Sequence, residues 1–313
     1  MPAASHPAPR ATAPLRVLVT GASGRVGRAI VVRLMHAGHR VQGLDRAPSS
    51  TVQHLGDLAD PALLARALHG VQAVVHTAAL HAPQVGAVDD AEFWRINLAG
   101  TQRLWAAALA AGVQRFVFTS TTALYGHDAT PEGQAGWVSE ATPPQPRTIY
   151  HRSKLAAEQW LAEAAAAAGA PRLRILRMSR CFPEAAPLMA VYRLHRGVDA
   201  RDVSRAHELA LLDGGAATAT WVISGATPFL PEDAPALWQD APAVLALRAP
   251  ALVAQFAQRG WPLPARIDRV YCPVLAAQQL GWVAQRGPAE VLHQLDDDSA
   301  EVLPPQAGDA GED

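Results

Sequence analysis

The stretch Leu15 to Gly27, reading LRVLVTGASGRVG, constrains this chain more than any other. Val17, Leu18 and Val19 form an almost unbroken apolar run, the pattern of a strand buried on both faces of a parallel sheet. After Thr20 the chain turns through Gly21, Gly24 and Gly27, enclosing Ser23, Arg25 and Val26, and AIVVRLMHAG follows as a helix. Glycines at such a turn let the backbone bend sharply, approach a pyrophosphate, and seat a helix close to a strand. The N–H groups that open the helix then face the phosphate. The spacing is G-x-x-G-x-x-G, related to the G-x-G-x-x-G dinucleotide fingerprint without being identical to it. Alone, the turn points to a phosphate-bearing ligand; the remaining motifs have to say which.

HRVQGLD supplies a second strand ending at Asp45, eighteen residues past Gly27. A carboxylate there suits the ribose hydroxyls of a dinucleotide and repels a 2′-phosphate, so it favours NAD. Arg46 and Arg25 keep NADP open, since a guanidinium near the ribose can bind that phosphate. GDLAD carries Asp57 and Leu58, with Asp57 a candidate for the adenine end and Asp60 the expected N-cap of a helix starting at Pro61. A third strand, Ala73 to His76, runs into Thr77, Ala78 and Ala79, small enough for a flat cofactor to lie against the backbone. His76 and His81 flank this point as structural or substrate-facing residues.

A long helix over Asp89 to Ala111 precedes RFVFTS, the fourth strand. That strand delivers Ser120, Thr121 and Thr122 to the carboxyl edge of the sheet, where open α/β sheets bind ligands. A Pro-rich loop without periodicity spans Gly126 to Arg147. In the helix opening at Thr148, Tyr150 and Lys154 stand at i and i+4 on one face. A free tyrosine, with a pKa of roughly 10, is a poor base at neutral pH. An ammonium one turn away and a nicotinamide cation nearby favour the phenolate; a fall of about 3 units needs about 4 kcal/mol. Such a tyrosine exchanges a proton with a carbinol as hydride moves, while a threonine hydroxyl holds the reacting oxygen. RLRILRM over 172–178 and ATWVIS over 219–224 are further strands, and a helix is expected to open near Val203 with Asp202 as N-cap.

Composition excludes several classes. The 313 residues carry a formal net charge of −1, which gives nucleic acid or an acidic membrane no electrostatic footing. Half the residues are apolar, but no stretch of about 20 suits a bilayer. Cys181 and Cys272 form no framework, which fits a reducing, cytoplasmic setting. There is no HExxH and no G-x-S-x-G. The expected layout is an α/β chain: a leader at 1–13, a Rossmann-like, doubly wound parallel sheet over 14–180 with the 219–224 strand returning to it, a small substrate lobe over 181–285, and an acidic tail over 286–313.

Taken together, TGASGRVG, Asp45, GDLAD, HTAAL, NLAGT, FTSTTALYG, YHRSK, LRMSRCFP, GVDARDVSRAHELAL and AAQQLGW resemble the extended short-chain dehydrogenase/reductase family, which includes NAD-dependent epimerases and dehydratases. The resemblance runs from about residue 15 to residue 285. It implies a bound dinucleotide, Tyr150 and Lys154 as the acid/base pair, Thr121 as the catalytic hydroxyl, and Asn97 supporting the cofactor end. It also implies a homodimer through the helices at 97–111 and 150–168, with Trp105 and Trp160 candidates for that surface, though core packing explains them as well. An acidic residue beside the catalytic hydroxyl would suit a dehydratase; Thr122 stands there. The segment between Pro183 and the RDVSRAH helix is short, and with SRCFPE it looks more like uronate dehydrogenases acting on free sugars or sugar acids than like nucleotide-sugar epimerases. Arg180 is then a candidate for a substrate carboxylate or phosphate, or a structural arginine beneath the loop. A dehydrogenase, a 4-epimerase retaining NAD, and a non-catalytic dinucleotide sensor all fit these residues.

Overall fold

The computed structural model describes residues 13–126 and 129–306, so the expected leader lies outside the described residues except for its last position. Alternation along the buried strands explains the layering. Val17, Val19, Ala73, Val75 and Val117 enter one core, and Leu18, Val74, Phe116 and Phe118 the opposite one. A sheet apolar on both faces has to be covered on both.

In chain order the first half comprises β1 (Arg16–Thr20), α1 (Arg25–His36), β2 (Arg40–Asp45), β3 (His54–Leu55), α2 (Pro61–Ala67), β4 (Ala73–His76), α3 (Asp90–Phe93), α4 (Gly100–Ala110), β5 (Arg115–Thr121) and β6 (Gly136–Val138). The second half comprises α5 (Ile149–Ala164), β7 (Arg172–Met178), α6 (Ala186–Tyr192), α7 (Ala200–Leu212), β8 (Thr218–Ile223), α8 (Ala234–Gln239), α9 (Ala241–Arg248), α10 (Pro250–Arg259), β9 (Arg269–Tyr271), α11 (Val274–Leu280) and α12 (Pro288–Asp296). Seven strands form a parallel sheet in the order β3-β2-β1-β4-β5-β7-β8. The order reverses between β1 and β4, and a crevice opens there at the carboxyl ends of the strands. This is the Rossmann-like α/β fold expected from the strand and helix pattern.

Several local expectations need correction. The long helix before β5 contains a π-helical turn over Trp94–Ala99, between α3 and α4. The Gly126–Arg147 segment is not structureless: β6 pairs in parallel with β9, so a distant strand from the C-terminal part anchors it. The helix at 200 opens earlier than Asp202. Asp199 is its N-cap, accepting from the Arg201 N–H at 2.9 Å, while Asp202 is fully buried and accepts from the backbone N–H groups of Gln285 and Arg286. Trp105 belongs to the core, edge-on to Phe116 at 5.1 Å, so it is no surface residue. Trp160 is half-buried against the same core.

The expected acidic tail is also wrong for its described part. α12 buries Val291 and Leu292 in a third core together with Met189, Leu237, Phe256 and Val270, and Val302 joins it. Leu303 bridges Ala185. Acidic residues at 296–298 follow the buried turns, so charge there concealed an amphipathic helix. Truncating a buried leucine costs about 2–5 kcal/mol. Leu292→Ala is therefore expected to lower unfolding free energy by that amount in urea titration, where an exposed position such as Leu247 should lose under about 0.5 kcal/mol.

Candidate active site

The glycine turn sets the geometry of the crevice. Gly21 has φ +71°, and a Cβ there would meet Thr77 Oγ1 at 2.5 Å and the Ala78 nitrogen at 2.7 Å. A Cβ on Gly27 would lie 2.0 Å from the Gly21 carbonyl oxygen, so β1 and α1 approach as closely as backbones allow. Gly24 is the N-cap of α1 and gives no side-chain bond to the first-turn amides, which leaves those amides to a ligand.

The turn forms one end of a cavity of about 500 Å³. Gly21, Ser23, Gly24, Arg25, Val26 and Gly27 line it, as do Asp45, Arg46, Asp57, Leu58, Thr77, Ala78 and Ala79. At the other end are His81, Thr121, Thr122, Tyr150, Lys154 and Arg180. Every expected site residue except Asn97 is thus brought to one cavity.

Asn97 is a correction. It is buried in the π-helical turn, accepts from the Leu80 N–H at 2.8 Å, and donates to the Leu80 carbonyl and to Ser153 Oγ. Ser153 in turn donates to the Tyr150 carbonyl at 3.0 Å. Asn97 therefore fastens the crevice wall to the helix bearing Tyr150 instead of lining the cavity. His76 is also structural. Thr101 donates to the Asn97 carbonyl, so its hydroxyl accepts from His76 Nε2–H at 2.8 Å, and His76 Nδ1 accepts from Thr20 Oγ1 at 2.7 Å. Burial, seconded by the Lys154 charge, pushes this imidazole down to about 3, which suits a neutral bridge between β1, β4 and α4.

At the end bearing the glycine turn, Asp45 accepts from the Ser23 and Ala47 N–H groups at 2.9 and 3.1 Å, one on each oxygen. A carboxylate has about four lone-pair directions, so capacity for two hydroxyls remains. Asp57 accepts from the Ala59 N–H at 2.8 Å and from Arg95 at 3.2 Å. Burial alone would raise its carboxyl, but the Ala59 N–H and the Arg95 guanidinium hold it below the ordinary value. Arg46 lies 3.8 Å from Asp57, and Arg25 pairs with Glu301, so the segment expected to be a tail closes over the start of α1.

At the other end, Thr121 Oγ1 accepts from the Ala123 N–H at 3.1 Å. With its lone pair engaged, its proton is available to a ligand oxygen. Lys154, 3% exposed, donates to the Thr119 carbonyl at 2.8 Å and sits 3.9 Å over the Phe118 ring. Burial pushes its ammonium from 10.5 down to about 7, opposed by Glu158. Arg180 is paired to buried Glu184, with Nε–Oε1 at 2.8 Å, and lines the cavity as well. His81 stacks on Phe182 at 5.7 Å, and burial holds it below 6.5.

Arg196, Arg269 and Tyr271 also line the cavity, and no sequence pattern pointed to them. Asp268 receives both arginines, at 3.1 Å from Arg196 and 2.8 Å from Arg269. β9 reaches the crevice through its pairing with β6, a contact across more than a hundred residues that no local pattern marks. One local signal was there to be used: Lys154 is the sole lysine of the chain beside 26 arginines. Among the described residues, no group of three or more His, Cys, Asp or Glu side chains is placed to hold a metal ion. Nor is any described helix long and apolar enough to cross a membrane.

The family model described as the NAD dependent epimerase/dehydratase family matches residues 17–221. A 3 beta-hydroxysteroid dehydrogenase/Delta 5-->4-isomerase of Mycobacterium tuberculosis is 40% identical over 119 residues, 35% of this chain and 32% of that protein. A UDP-glucose 4-epimerase of Streptomyces lividans is 32% identical over 165 residues, 49% of each chain. The chain thus spans between a third and a half of the length of these curated relatives. Among solved structures, a short-chain dehydrogenase/reductase superfamily protein of Agrobacterium tumefaciens with bound NAD superposes with a TM-score of 0.68 at 25% identity, over 89% of this chain and 95% of that one. MoeE5 in complex with UDP-glucuronic acid and NAD gives 0.65 at 26% identity, over 89% and 96%.

The buried lysine makes stability depend on pH. The folded ammonium loses its proton near pH 7 and the unfolded one near 10.5. Between these values the unfolded chain binds more protons, so this group makes stability rise with pH, by up to about 1.4 kcal/mol per unit. Below pH 7 its full cost is present. Lys154→Met is expected to raise the melting temperature, most at acid pH, with the gain shrinking as pH approaches 10.5 in calorimetric scans.

Proposed function

The chain belongs to the NAD dependent epimerase/dehydratase family, and from that premise we propose that it is an NAD-dependent oxidoreductase working at a secondary alcohol or ketone of a sugar-like substrate. The observation that carries this reading is the meeting of Thr121, Tyr150 and Lys154 in the cavity whose opposite end is the glycine turn and Asp45. The amides of the first turn of α1, from Arg25 and Val26 onward, would hold the pyrophosphate, and Asp45 the adenosine ribose hydroxyls. Arg25 and Arg46 both have carboxylate partners, which supports NAD over NADP. NAD, when bound, supplies the hydride acceptor.

The remaining chemistry belongs to the chain. Thr121 donates to the reacting oxygen and fixes its position. Tyr150 takes the hydroxyl proton as hydride leaves the carbinol carbon, or returns it in the reverse direction. The Lys154 ammonium lowers the cost of the phenolate, and on binding it would exchange part of its bond to the Thr119 carbonyl for the nicotinamide ribose. Proton transfer by a placed side chain is worth about 10²–10⁴-fold. Tyr150→Phe is expected to cut turnover by that factor while leaving NAD affinity within about threefold, read by calorimetric titration beside initial rates. Equal activity of the two proteins on every alcohol that turns over would overturn the role given to Tyr150, and NAD binding without turnover of any alcohol by either protein would leave the non-catalytic sensor.

The Arg196, Arg269 and Asp268 cluster at this cavity wall supports a polar substrate over a sterol, because a sterol nucleus would strip water from charged groups without replacing it. A second reading, a 4-epimerase that retains its cofactor, is supported by the similarity to UDP-glucose 4-epimerase. Accumulation of reduced cofactor in step with substrate loss speaks for the dehydrogenase; interconversion of sugars without it speaks for the epimerase.

A further inference from the structure

Beneath the candidate site lies an ion pair that the chemistry above does not use. Glu158 stands four residues after Lys154 on the same face of α5 and is 4% exposed. Arg177, on the neighbouring strand β7, grips it with Nε at 3.1 Å and Nη2 at 2.7 Å from Oε2, and its Nη1 donates to Tyr125 Oη at 2.9 Å. The groups around the Lys154 ammonium are therefore the Phe118 ring and Thr119 carbonyl from β5, the neutral His76 from β4, and Glu158 one turn along α5, which Arg177 of β7 holds in turn; Tyr150 lies one turn the other way along α5. Glu158 is the anion of this set. Burial works against the charge of both Lys154 and Arg177, and in each case Glu158 pulls the other way.

We infer that the buried Glu158–Arg177 pair is a positioning element for Lys154, keeping its ammonium charged and directed at the site while Arg177 keeps Glu158 from capturing it outright. The physical reason is a balance of charges in a dry environment. With Glu158 alone, the lysine would turn from the Thr119 carbonyl into a tight ion pair. With Arg177 alone, two cations would share a buried volume, and the lysine, the easier of the two to deprotonate, would give up its proton. With both, the lysine meets a carboxylate whose oxygens are already shared. The catalytic consequence rests on the reading of Tyr150 and Lys154 given above; the effect on the lysine itself does not.

The lone lysine makes the test direct. Protein grown with lysine labelled with ¹³C at Cε yields one side-chain resonance, whose shift with pH reports Lys154 without reference to activity. Glu158→Gln is expected to move the titration midpoint to lower pH, a loss of proton affinity of about tenfold, and to move the pH profile of alcohol oxidation in parallel. Glu158→Gln combined with Arg177→Met removes both charges and should recover much of the shift. Should Glu158→Gln fail to fold, Glu158→Asp, which keeps the charge but withdraws it by one methylene, is expected to give a smaller shift in the same direction. A midpoint unmoved in a folded Glu158→Gln or Glu158→Asp protein overturns the proposal. A midpoint that moves in a protein inactive towards every alcohol leaves it standing and removes the catalytic reading instead.

Discussion

The closeness of β1 to α1 is the constraint from which the rest of this structure follows. With the Gly21 carbonyl 2.0 Å from where a Gly27 Cβ would lie, no other residue fits at position 27 without separating the helix from the sheet. That contact puts the uncapped amides of α1 over the crevice between β1 and β4. It also brings Thr77 and Ala78 against Gly21, so the floor of the crevice is backbone where a side chain would otherwise fill it. A buried chain of hydrogen bonds carries this geometry onward. Thr20, His76, Thr101, Asn97 and Ser153 connect β1 to the carbonyl of Tyr150, with each polar group satisfied by the next.

Across the crevice the molecule accepts a cost. An ammonium that is 3% exposed and bonded to one carbonyl is a poor contributor to stability, and a hydrophobic isostere would serve the fold better. Such groups concentrate where function needs them. Here the surroundings limit the cost with a π-face, a carbonyl and a shared carboxylate, so the charge is held in place without being neutralised.

The C-terminal part does more than cap the fold. α12 and the segment to Leu303 seal a third core, and Glu301 reaches Arg25 at the mouth of the dinucleotide end. β9 comes to the other end, where Asp268 holds Arg196 and Arg269 in a fixed array. The cleft is therefore framed by pieces of chain drawn from both termini of the described residues. Two of its charge pairs, Arg25 with Glu301 and the two arginines with Asp268, take their carboxylates from the late segments.

Much of this was legible beforehand. The sheet, the turn, Asp45, the hydroxyls after β5 and the Tyr150–Lys154 pair all announce themselves through spacing within about twenty residues, because strand alternation, helix capping and i, i+4 contacts are local effects. Asn97 was legible as important but not as a brace, since its partners Leu80 and Ser153 lie 17 and 56 residues away. The acidic end misled because charge density outweighed a two-turn amphipathic pattern. What the chain by itself determined is the fold class and the chemistry of the sheet's carboxyl edge. Tertiary structure alone decided which charges meet: Arg180 with Glu184, Arg196 and Arg269 with Asp268, and Glu158 with Arg177 on the neighbouring strand. Coulomb interactions depend on distance and burial, and those are properties of packing, which no spacing along a chain reveals.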